Sequence, residues 1–228
     1  MADRNFALIL IFILSIFIYL GAPYDPDKSD YFDAEPPENL VRTIHNPDAQ
    51  NTVTFRKMSH KTDGEYTLLE IDLSFGGGNS LHYHERFSET FTAVEGITGV
   101  EVDGEKYFLD ENESIKAEAG AVHRFFNPGD ESVKFEVKIE PGSPGFEKAL
   151  YILYGLANDG LTDDMGTPKD INHIGIFVAY SDTRGTGLQG LILGSVINRI
   201  AGRAQRQGVE AELLERYYFG FTENREQE

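Results

Sequence analysis

Three patterns of hydrophobic and polar positions follow one another along the 228-residue chain. Residues 5–24 carry no charge, and 6–20 read FALILIFILSIFIYL, in which twelve positions are Leu, Ile or Phe. As a helix this run is roughly 25–30 Å long at about 1.5 Å per residue, which matches a bilayer core. Each Leu, Ile or Phe favours insertion by about 0.3–0.6 kcal/mol, so the run predicts an N-terminal transmembrane helix, an anchor over 1–22. A cleaved signal peptide and a buried core helix are the alternatives. Against cleavage, Asp3 cancels Arg4 ahead of the run, and its exit, Leu20-Gly21-Ala22-Pro23, is not a small-x-small site. With Arg4 and the α-amine on one side, the positive-inside rule puts the main domain outside the cytoplasm, as a single-pass protein.

Residues 23–50 hold Pro23, Pro26, Pro36, Pro37 and Pro47 among acids and follow neither a helical nor a strand period. That composition predicts an acidic, Pro-rich tether. From Thr52 the pattern alternates, with runs at 52–58, 66–75, 87–95, 98–102, 106–109, 114–117 and 133–140. The clearest is 134–140, KFEVKIE, apolar at every second place and charged between, which needs one buried and one wet face. Turn pairs Asp63-Gly64, Asp103-Gly104 and Pro128-Gly129 punctuate the runs. The region 51–145 is therefore a mainly β unit, an antiparallel sandwich or barrel. Beyond Gly145 the period becomes helical at 146–156, 171–180 and 188–208, with a short piece at 210–218, giving a helical extension over 146–228. Asp182 and Arg184 interrupt its longest apolar stretch, so none of these helices is expected to span a membrane.

Composition narrows the function. The absence of Cys removes disulfides, thiolate metal sites and cysteine nucleophiles. With 20 Lys+Arg against 38 Asp+Glu the net charge is −18, which argues against nucleic acid as a partner. The one basic stretch runs from 183 to 209, without an acid and with Arg184, Arg199, Arg203 and Arg206. The last three share a helix face, opposite Leu188, Leu191, Ile192, Val196 and Ile200. Such a helix either packs on the β unit or at a homodimer interface, its arginines pairing the acidic surface, or lies on anionic membrane lipid beside the anchor.

The chemistry sits in the β unit. His82 and His84 are two apart on a strand, so both imidazoles point to one face, and Glu89 opens the next strand after a turn long enough to fold back beside them. With His123 closing the set, three imidazoles and one carboxylate suit a divalent transition metal (Fe, Mn, Ni, Cu or Zn) and leave positions open for a small molecule. If Glu89 faces inward, so do Phe91 and Ala93, and Phe125 stands beside His123 as an apolar wall. His45, His60 and His173 lie elsewhere and are not read as ligands. Gly76-Gly77-Gly78 lacks the following Lys-Ser/Thr of a phosphate cradle and reads as a turn into the metal strand.

The order Gly76, five residues, His82-Tyr83-His84, four residues, Glu89, six residues, Gly96, and later Gly120, two residues, His123, three residues, Asn127, resembles the two motifs of the cupin superfamily. The resemblance covers about 52–140; in the second motif Asn112 and Glu118 stand where the family pattern wants Gly and Pro. It implies a small jelly-roll barrel and the ligand set His82, His84, Glu89 and His123. Two functions follow for a membrane-anchored cupin of this kind. One is a metal-dependent enzyme with a dioxygenase-like or isomerase-like reaction on a small molecule; the other is a non-catalytic small-ligand binding or sensing module.

Overall fold

A computed structural model describes Ser15 and residues 19–222, apart from the side chains of 188–192. The expected transmembrane helix over 1–22 therefore lies outside the described residues except at its end. Among the described residues no helix is long and apolar enough to cross a membrane.

Eleven strands form the β unit: β1 (Thr43–Asn46), β2 (Asn51–Lys57), β3 (Thr67–Leu73), β4 (Tyr83–His84), β5 (Ser88–Glu95), β6 (Thr98–Val102), β7 (Glu105–Leu109), β8 (Ser114–Ala117), β9 (His123–Phe126), β10 (Val133–Glu140) and β11 (Thr183–Arg184). Six pair antiparallel in the order β1-β2-β3-β10-β5-β8, three in the order β7-β6-β9, and β11 pairs with β4. Period-2 alternation drives the large sheet. In β10, Val133, Phe135, Val137 and Ile139 are buried while the charged residues between them stay partly wet. Val53, Phe55, Leu69, Ile71 and Leu73 present the matching apolar face from β2 and β3.

The expected barrel is an open one: no ladder joins the large sheet to β7-β6-β9. Single bridges, Gly78 to Phe126 and His82 to His123, carry the small sheet across to β4 and β11. Asn112, in the place of the family glycine, takes φ +68°, a left-handed conformation that Asn tolerates.

The helices are α1 (Pro144–Asn158), α2 (Ile171–Ser181), α3 (Gly187–Arg206) and α4 (Val209–Leu214), the last running on into a π-turn at Glu215–Phe219. Ser143 caps α1 by accepting from the Phe146 N–H at 3.2 Å, with Pro144 in the first turn, and Asp170 caps α2 through the Asn172 N–H. Helix α1 is tied to the start of the β unit: the Tyr151 hydroxyl donates to the Val41 carbonyl at 2.6 Å and Asn158 to the His45 carbonyl at 2.7 Å.

The stretch expected as a tether, 23–50, is instead packed and partly strand. β1 begins at Thr43. Lys148, 1% exposed, donates to the carbonyls of Phe32 and Ala34 at 2.7 and 2.8 Å. One oxygen of buried Glu210 accepts from the hydroxyls of Tyr24, Ser29 and Tyr180. Proline does not prevent this, because a chain without regular structure can still be held by side chains that take up its carbonyls.

The arginines of α3 have a third role that neither expectation named. Arg199 donates to the Gly21 carbonyl and Arg206 to those of Leu20 and Ala22, while Arg203 lies 4.7 Å over the Tyr19 ring. These carbonyls sit at the end of the apolar run, where a helix C-terminus leaves acceptors unpaired and favours cations. Gly202 allows the approach: a Cβ there would be 2.4 Å from the Ala22 oxygen.

Candidate metal centre

His82, His84, Glu89 and His123 converge, each offering a ligand atom, and these atoms all lie within 4.8 Å of one another. The backbone explains the meeting. His82 pairs with His123 across the bridge, with N–H to carbonyl distances of 3.1 and 2.8 Å, and His84 follows two places on, on the same face. Glu89 enters from the other layer, on β5 opposite Ile139 and Ala117. Phe91 and Ala93 follow it on the buried face, and the Phe91 ring stands 5.9 Å from His123.

Main-chain carbonyls fix the Nδ1 state of two of the three imidazoles. Nδ1 of His82 lies 2.7 Å from the Ser80 carbonyl and Nδ1 of His123 lies 2.9 Å from that of Ala121. A carbonyl only accepts, so both Nδ1 atoms carry the hydrogen; Nε2 of His82 presents its lone pair to the centre, whereas Nε2 of His123 donates to Glu89 until a metal replaces its proton. Nε2 of His123 is 2.8 Å from Glu89 Oε2. His84 is 1% exposed and neither of its ring nitrogens has a hydrogen-bond partner, although its ring stacks on Phe87 at 4.4 Å. An orphaned buried imidazole costs stability unless something occupies it. A divalent cation accepted by the four residues resolves that cost, so the donor set fits a transition metal.

The electrostatics agree. Burial would raise the Glu89 carboxyl, but the hydrogen bond to His123 and the surrounding histidines outweigh it and hold it down at about 2. Burial pushes His82 down to about 4 and lowers His84 as well. His123 is raised: burial opposes its charge, yet the Glu89 contact prevails. At neutral pH the set is thus an ionised carboxylate with His82 and His84 neutral and ready to donate lone pairs, while His123 shares its proton with Glu89.

Asp182, seen in the sequence only as an interruption, is part of the frame. It is 1% exposed at the end of α2 with φ +56°. One of its oxygens accepts from the Glu85 and Arg86 N–H groups, both at 2.8 Å, and the other lies 3.3 Å from the guanidinium groups of Arg86 and Arg184. It therefore holds the turn joining His84 to Glu89, while β11 pairs Thr183 with His84. An Asp at a helix end is a local signal for a left-handed residue; its bond to residues 85–86, nearly a hundred positions earlier, has none.

A cavity of about 590 Å³ opens beside the centre, with His82 and Glu89 in its wall. Phe125 lines it as expected, and α1 and α2 add Phe146, Leu150, Leu153 and Phe177. Arg124 also lines it, but its guanidinium is paired with Glu101 at 2.8 Å. His45, His60 and His173 are not among the converging residues.

Residues 70–140 match the family model described as a cupin domain, and this supports the cupin superfamily for the β unit. The chain is 34% identical over 74 residues to an epoxidase, atD, of Aspergillus terreus, covering 32% of this chain and 23% of that protein. It is 38% identical over 64 residues to the mannose-1-phosphate guanylyltransferase of Escherichia coli, covering 28% and 13%. The match thus spans less than a quarter of either relative. A predicted oxalate decarboxylase from Thermotoga maritima aligns in structure at a TM-score of 0.41 and 16% identity, over 47% of this chain and 99% of that one.

Proposed function

We propose that this chain is a membrane-anchored cupin-type protein in which His82, His84, Glu89 and His123 hold one divalent transition ion and the adjoining cavity takes a small molecule. The observation that carries this reading is the convergence of four ligand atoms, with buried His84 left unpartnered at the centre. When bound, such an ion supplies a Lewis acid with open positions at which an oxygen of a small molecule can exchange. The chain's own part is to fix the imidazole tautomers, keep Glu89 ionised and wall the centre with apolar residues. A dioxygenase-like or isomerase-like reaction fits that arrangement, with Glu89 as the carboxylate nearest the substrate space.

The non-catalytic reading draws on a different observation. Among the described residues that line the cavity, the only charged side chain besides Glu89 is Arg124, which is committed to Glu101, so no second acid or base faces the substrate. For location, the uncharged run over 5–24 supports an anchor with the main domain outside the cytoplasm. Arg199 and Arg206, bound to carbonyls 20–22, keep the domain at its end, and the outer face of α3 would then lie near lipid.

Metal analysis of the full chain, purified in detergent without chelators, tests the centre. The expected result is about one first-row ion per chain; a protein that stays metal-free after reconstitution with Fe, Mn, Ni, Cu and Zn in turn overturns it. Release of the full chain from membranes by carbonate washing, or a mature protein beginning near Pro23, overturns the anchor.

A further inference from the structure

We infer that the molecule this cavity takes is neutral and largely apolar, an aromatic or alicyclic compound with a single oxygen function that meets the four-residue centre. The polar end of this assignment rests on the metal reading above; the apolar body rests on the walls alone.

The walls come from two sources. The β unit supplies Val53, Leu69, Ile71, Phe91, Phe125 and Val137, and the extension supplies Phe146, Leu150, Leu153 and Phe177. At about 590 Å³ the space suits a ring system with substituents. The side-chain oxygens of two asparagines on these walls are already engaged. The Asn51 side-chain oxygen accepts from the Tyr154 hydroxyl at 2.8 Å, and that of Asn79 accepts from the Phe125 N–H at 2.9 Å. The Arg124 guanidinium is held by Glu101 and lies 5.5 Å over the Phe126 ring.

Charge decides the class. A sugar phosphate or a small dicarboxylate carries at least one anionic group beyond whatever reaches the centre. Among the described lining residues no uncommitted cation would receive it, and an unpaired buried charge is among the costliest things a site can hold. A neutral ring meets no such cost and gains with each apolar contact. The likeness to proteins named for mannose 1-phosphate and oxalate thus does not extend to their ligands. Four of the ten apolar wall residues named lie outside the matched residues 70–140 on the α1 and α2 side, so the extension sets specificity. Met165, 86% exposed and also on the lining, marks the rim through which a ligand enters.

The absence of cysteine gives a direct test. A single thiol placed by Leu153→Cys in the full chain faces the cavity; Phe177→Cys is the second position should the first fail to fold, and Glu111→Cys is the exposed reference. The probes are benzyl methanethiosulfonate, which is neutral, and sulfonatoethyl methanethiosulfonate, which is anionic. Relative to the exposed reference, the benzyl reagent is expected to modify the cavity thiol at least about tenfold faster than the anionic one, in wild-type and His84→Ala backgrounds alike. Equal rates, or a preference for the anion, overturn the proposal. Because the His84→Ala background lacks a ligand, the thiol rates there stand apart from the metal, and the metal reading fails separately if the wild-type chain binds no ion. In the cobalt-loaded protein, phenol is expected to perturb the visible spectrum and oxalate and mannose 1-phosphate to leave it unchanged; the reverse order overturns the assignment of the polar end.

Discussion

Three buried charged groups in the helical half and the four-residue centre in the β half are treated in opposite ways by the fold. In the helical half, Lys148 donates to two main-chain carbonyls, Glu147 accepts from the Ser59 N–H and the Thr67 hydroxyl, and Glu210 collects three hydroxyls. Each is buried and each is partnered by the chain itself. In the β half, His82, His84, Glu89 and His123 point at one another, and His84 has no partner. Single buried atoms of His60, Thr98 and His173 also lack a partner, so what sets the centre apart is that unsatisfied and titratable groups converge on one point, whereas the satisfied ones fasten segments together.

The sharpest break of this comparison is His84→Leu. Metal affinity is expected to fall about 100-fold or more, while the metal-free fold becomes about 1 kcal/mol more stable, since an unsatisfied buried group is replaced by one that needs no partner. Chelator competition reads the first effect and urea unfolding the second; a destabilised metal-free variant would mean that His84 is structural. Lys148→Met should do the reverse. It strips two carbonyls of a charged donor, and burial already holds this amine down at about 8, so a loss of about 2–4 kcal/mol is expected with metal stoichiometry unchanged in the folded protein.

Asp182 belongs to both halves and so tests the boundary. Asp182→Ala frees the turn over 85–86 and is expected to weaken metal binding about 10–100-fold, and Asp182→Asn, which keeps one oxygen for those N–H groups, should recover part of the loss. Unchanged affinity in the alanine variant would confine the centre to the β unit.

The smallest effect is a pH slope. Raised His123 adds stability to the metal-free protein that is full below its ordinary value of 6.5 and lost as pH rises through its folded value. Depressed Glu89 adds stability that is full above its ordinary 4.5 and lost as pH falls through about 2. Metal binding near neutrality therefore displaces protons chiefly from His123, and affinity should climb with pH by at most about tenfold per unit until His123 is neutral. Calorimetry in two buffers of different ionisation enthalpy should read up to one proton released, and fewer in Glu89→Gln, which no longer raises His123.

Legibility followed the range of the interactions. All seven alternating runs became strands within two residues of their expected ends, and the four helical runs became helices, because one buried face imposes its period on the residues next to it. The strands that escaped notice are β1 and β11, of four and two residues, while β4 and β9 were legible only through the histidines they carry. Spacing alone brought His82 and His84 to one face, since strand geometry is local. What only the folded chain decided is the rest: that 23–42 is fastened down, that Arg199 and Arg206 seek carbonyls 20–22 where acids or lipid were expected, and that Asp182 closes the turn beside His84. These contacts join residues about a hundred or more positions apart, and a pairing between one side chain and one distant carbonyl or N–H leaves no periodic trace in the sequence that encodes it.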